Sequence, residues 1–63
     1  MSEAFRDWKD AHDHATKQAR RSGLDCAIRK AYAYGTTVYC VSYASRNDSD
    51  YDRAEIITYR DTI

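Results

Sequence analysis

The segment "DAHDHA", Asp10 to Ala15, sets two carboxylates and two imidazoles within six residues, the side chains from which metal sites and general bases are built. On a helix, however, residues two apart point about 200° away from each other, so His12 and His14 cannot close on one ion. Asp10 and His14 are four apart and share a face, but two ligands do not hold a metal without help from elsewhere. The expected state is His12 packed near Trp8 and His14 in solvent.

Cys26 and Cys40 lie in no C-x-x-C pair and stand beside no other soft ligand at zinc spacing. The opening "MSEAFRDWKD" has neither the basic nor the apolar region of a secretion signal, so reduced thiols acting as small hydrophobes are expected, in a cytoplasmic protein. Cys40 and His12 are the pieces of a nucleophile and base, yet no glycine-rich loop or oxyanion nest accompanies them, and so short a chain seldom encloses a substrate cleft. Asn47, Asp48, Asp50 and Asp52 look like a calcium loop but lack its central glycine and closing glutamate. The sequence therefore implies no catalytic residue, no cofactor and no metal, and the chain is read as a non-enzyme.

What remains is binding, and composition narrows it. Ten basic and ten acidic residues cancel, so no global field steers the protein to nucleic acid or to anionic lipid. No apolar run approaches the ~20 residues of a membrane span. At 63 residues the chain reads as a single domain, 1–63, with few large apolar side chains. A domain of this size gains stability from a staple, an oligomer or a partner, and a homodimer is one such route.

These residues must be positioned by a small number of elements. From Ser2 to Arg21, Met1, Phe5, Trp8, His12, Ala15 and Ala19 form one stripe at helical spacing, with Ala4 and Ala11 beside it. Ser2 is the expected N-cap, Lys17, Arg20 and Arg21 suit the C-terminal dipole, and Gly23 is a plausible stop. Residues 24–34 alternate as a strand does, although their alanines and basic residues also suit a helix. "TTVYCVSYA" is the clearest strand, and Gly35 between the two points to a hairpin. A polar loop, "SRNDSDYDR", then leads to a further strand, "AEIITYR". The expectation is an α+β fold in which an N-terminal amphipathic helix packs on an antiparallel sheet of about three strands, in the order α-β-β-β, with α-α-β-β as the rival.

One helix covers one face of a sheet. If Ile28, Tyr32, Tyr39, Val41 and Tyr43 share a face, Ala27, Ala31, Ala33, Val38 and Cys40 make up the other, and both are apolar. A contact surface follows, and tyrosine suits one because it adds area at low entropy cost while staying soluble when unbound. Tyr32, Tyr39 and Tyr43, with Asp48, Asp50 and Asp52 for electrostatic specificity, are the candidate partner-binding residues. The function expected is that of a small accessory protein that binds and modulates another protein, in the style of phage or mobile-element inhibitors of host factors. The alternative is a nucleic-acid module in which Arg20, Arg21, Arg29, Lys30 and Arg46 meet phosphates and sheet aromatics stack on bases.

Overall fold

The computed structural model describes residues 3–63. Strand β1 (Glu3–Phe5) precedes helix α1 (Trp8–Ser22); strands β2 (Cys26–Ala33), β3 (Thr36–Tyr43) and β4 (Glu55–Ile57) follow, and short 3₁₀ turns occupy Tyr51–Arg53 and Tyr59–Thr62. All pairings are antiparallel and the sheet order is β1-β3-β2-β4. The α+β architecture agrees with the sequence reading, with four strands rather than about three.

The additional strand comes from residues expected to be helical. The Asp7 carboxylate accepts from the Lys9 N–H at 3.0 Å, which makes Asp7 the N-cap and starts the helix at Trp8. Asp caps as well as Ser does, and Asp10 in the first turn complements the dipole. Glu3–Phe5 are thereby released to pair with Tyr39–Val41. Met1 and the proposed Ser2 cap lie outside the described residues. At the other end Gly23 adopts φ 73° and its N–H donates to the Ala19 carbonyl, the expected stop.

The shift rotates the buried stripe. Ala11, Ala15 and Ala19, at i, i+4 and i+8, are fully buried, whereas Trp8 is exposed at the helix start. Bare methyl groups let the helix backbone approach β2 and β3 closely, and Cys26, Ile28, Val41 and Ile57 complete the core below them. Phe5, now on a strand, sets its ring 5.0 Å from that of His14, so His14 is half-buried rather than solvated. Burial pushes the Cys26 thiol up from its ordinary pKa, with the Asp25 carboxylate adding to the shift, so it is an inert packing group.

The hairpin register, which alternation alone leaves open to a one-residue slip, sorts the two faces. Ile28 faces Val41, Lys30 faces Tyr39 and Tyr32 faces Thr37 on the helix side; Ala27 faces Ser42, Arg29 faces Cys40 and Ala31 faces Val38 on the other. The tyrosines therefore share the face that bears the helix.

Candidate functional site: the hairpin arm and its latch

Both outer strands are short, and both pair with the base of the central hairpin. β4 meets only Cys26–Ile28 and β1 meets only Tyr39–Val41. Beyond them β2 and β3 continue as a two-stranded arm to the turn at Tyr34 and Gly35.

That turn contains two residues with positive φ, Tyr34 at 54° and Gly35 at 76°, which is the twist a two-residue hairpin loop requires. Gly35 adopts it without a Cβ penalty. Tyr34 does not: a left-handed tyrosine costs about 1 kcal/mol or more relative to glycine, and Asn or Asp is the usual resident. The strained side chain touches nothing that would repay the strain, because Tyr34 is 100% exposed. Beside it Tyr32, 75% exposed, donates its hydroxyl to the Gly35 carbonyl at 2.9 Å and braces the turn.

The other candidate tyrosines sit lower. Tyr39 is half-buried, with Trp8 packed edge-on at a centroid distance of 5.5 Å. Tyr43, 49% exposed, lies at the base of the sheet opposite Cys26. Tyr32 and Tyr39 thus stand on one side of the arm, while Tyr43 is separated from them along β3.

The acidic loop turns inward. Arg29 projects from the face opposite the helix; its Nε donates to Asp50 at 2.6 Å, its Nη2 donates to Asp50 at 3.0 Å and to Asp48 at 3.3 Å, and its Nη1 donates to the Ser42 hydroxyl at 3.0 Å. This fork pins the 44–54 segment over the base of the second face, where Ala27 is fully buried apart from the helix-side core. Part of the apolar face thought to be open therefore has a second lid. Asp48 and Asp50 are satisfied within the chain, while Asp52 remains exposed. Ala4 and Ala31 stay exposed on that face, with Ala33, Val38 and Cys40 half-covered.

Hydrogen bonding to Arg29 holds the Asp50 carboxyl below its ordinary pKa, and the same contact raises that of Arg29. A carboxylate depressed in the folded state contributes stability above its unfolded pKa and loses it as pH falls through the folded value. The latch is expected to be closed at neutral pH and to open below the ordinary aspartate range of about 4. Amide exchange of the 45–54 segment, measured against that of β2 and β3 across an acid titration, checks this; equal acceleration in both would contradict it.

The basic residues do not form one patch. Arg20 Nε donates to the Thr62 carbonyl at 3.1 Å, and Arg21 is exposed at the helix end. Arg46 lines a cavity with Asp25 and Asp61, Arg29 is held in the latch, and Lys30 stands on the arm. Acids interleave with bases wherever these side chains meet.

Beside Lys30, where β4 ends, a groove of about 640 Å³ opens between Trp8, Ile28 and Tyr39 on one side and Asp52, Arg53, Ala54 and Glu55 on the other. Sequence reasoning missed this groove and also Tyr34. For Tyr34 the signal was present: a Tyr-Gly pair centred between two alternating strands puts a bulky residue where a turn favours Asn. Among the described residues no three His, Cys, Asp or Glu side chains converge as ligands, and no helix is long and apolar enough to cross a membrane. Comparisons with family models, curated proteins and solved structures find no match for this chain.

Proposed function

We propose that the chain is a non-catalytic protein-binding domain that presents the tip of its β2–β3 arm, with Tyr34 at the apex, to a partner protein in the cytoplasm. The observation that carries this reading is the strained, fully exposed Tyr34. A residue that destabilises its own fold and contacts nothing in it is best explained by a contact made elsewhere. Tyrosine is also a residue type that interface hot spots favour. Tyr32 fixes the geometry of the turn, so the apex is presented rigidly and little entropy is lost on docking. A modulator of a larger host or viral protein, acting by occlusion, fits such a small protruding element.

Tyr34→Asn separates folding from binding because the two effects have opposite signs. The variant is expected to be more stable than the parent by about 1 kcal/mol, since Asn tolerates the left-handed backbone. It is also expected to lose partner capture by tenfold or more, which corresponds to about 1.4 kcal/mol. Thermal melts and nuclease-treated pull-downs with both proteins measure the two effects. A variant that is stabilised and still captures the same partner would show that the apex is not the contact.

A further inference from the structure

We infer that the groove beside Lys30 binds a nucleoside monophosphate, with the base against Trp8 and Tyr39, the phosphate on Lys30 and Arg53, and the Glu55 carboxylate accepting from the ribose hydroxyls. This does not depend on what Tyr34 binds, because the groove lies at the base of the arm and the turn at its tip.

The sheet register builds the groove. Ile28 stands opposite Glu55 and Lys30 opposite Tyr39, so alternation sets these side chains on the helix side of the sheet. Trp8, at the start of α1, forms the facing wall. At about 640 Å³ the space is within the range of small-ligand sites. Trp8 and Tyr39 meet at 74° with centroids 5.5 Å apart, so a planar ring stacked on one presents its edge to the other. Every nucleobase has a π-face that stacks on such a ring, and Trp8 is 42% exposed and accessible to it.

The cations stand together at the arm end. The register that pairs Ile28 with Glu55 brings residue 53 level with Lys30, and Lys30 and Arg53 also border a second, adjoining cavity. Neither has a carboxylate within ion-pair distance among the described residues. An ammonium beside a guanidinium suits a phosphate, the one as a point charge and the other as a fork of donors. Glu55 likewise has no ion-pair partner among the described residues, and a carboxylate next to a bound nucleotide accepts from ribose hydroxyls. Asp52, exposed on the rim, brings the acids to two against two bases. A bare anion therefore gains little here, whereas a ligand that adds a planar ring and hydroxyl donors meets every group.

The Arg29 latch positions one wall of the groove from the opposite face. Asp50, whose carboxylate Arg29 grips, accepts through its main-chain carbonyl from the N–H groups of Arg53 at 2.9 Å and Ala54 at 3.2 Å. Arg29 itself does not line the groove. Order in the loop and binding in the groove are therefore linked, and by reciprocity each strengthens the other.

Trp8 is the only tryptophan of the chain, so its fluorescence reports the site. Adenosine 5′-monophosphate is expected to quench it with a submillimolar midpoint, about tenfold below that for adenosine, while inorganic phosphate leaves it unchanged. The double variant Lys30→Gln, Arg53→Gln, both at exposed positions, should weaken the monophosphate about tenfold and leave adenosine as it was. Arg29→Leu should weaken the monophosphate although it removes no group from the groove, and Tyr34→Asn should not affect it. In the parent protein the monophosphate should also slow amide exchange at Arg53 and Ala54. A Trp8 signal that ignores the monophosphate up to millimolar concentration would overturn the inference. So would equal affinities for monophosphate and adenosine, or quenching by a single-stranded oligonucleotide alone.

Discussion

Replacing Ala15 with leucine is expected to remove most of the protein's stability. Ala15 is fully buried at the centre of the Ala11–Ala15–Ala19 line, where α1 lies against β2 and β3. A leucine there adds an isobutyl group to a contact whose closeness depends on bare methyls, so the helix must lift or the rotamers of Ile28 and Val41 must strain. Overpacking of this kind costs about 1–3 kcal/mol. Domains below about 70 residues rarely hold more than 3–5 kcal/mol in total. At about 4–8 °C per kcal/mol for a domain this small, the midpoint should fall by roughly 10–20 °C in a thermal melt followed by circular dichroism. Lys17→Leu, on the exposed side of the same helix, is the control and should shift little. Equal melting of the parent and Ala15→Leu would mean that the alanine line is not the seat of the helix.

Arg29→Leu is expected to free the 44–54 segment while leaving the hairpin intact. Arg29 makes four donor contacts, three of them to two carboxylates that approach each other only because the guanidinium lies between them. Without it Asp48 and Asp50 repel, and the loop loses its tie to the sheet. Amides inside the loop, those of Asp48, Tyr51, Arg53 and Ala54, should then exchange rapidly while those of β2 and β3 stay protected. Arg29→Lys should behave almost like the leucine variant, because one ammonium cannot reproduce a planar fork that serves Asp48, Asp50 and Ser42 together. Full protection in the lysine variant would mean that charge alone holds the loop. In the leucine variant the base of the second face, including Ala27, becomes accessible, so a rise in binding of an apolar dye is the companion readout.

The central hairpin was legible because strand alternation is a local property. Ile28, Tyr32, Tyr39, Val41 and Tyr43 did fall on one face, in a register set by the turn at Tyr34 and Gly35. The fully buried methyls of Ala15 and Ala19, and the stop at Gly23, were legible for the same reason, since 3.6-residue periodicity and a left-handed glycine need no distant partner. Phe5 and Trp8 misled. Their spacing continues the helical stripe backwards, but the Asp7 cap starts the helix at Trp8, and the three-residue β1 exists only because β3 offers an edge to pair with.

By itself, then, the sequence favoured the hairpin over a second helix, put Ala15 and Ala19 on the buried side of the first, and showed an excess of apolar surface over what one helix can hide. Only the tertiary structure decided how that excess is managed. Asp48 and Asp50, 19 and 21 residues away from Arg29, fold back onto it, so an acidic loop expected to face a partner becomes a lid. The isolation of Tyr34 at the tip likewise depends on where β1 and β4 end. Both outcomes rest on pairings between distant residues, and the energy of such a pairing is set by which groups the folded backbone brings together, which no local period encodes.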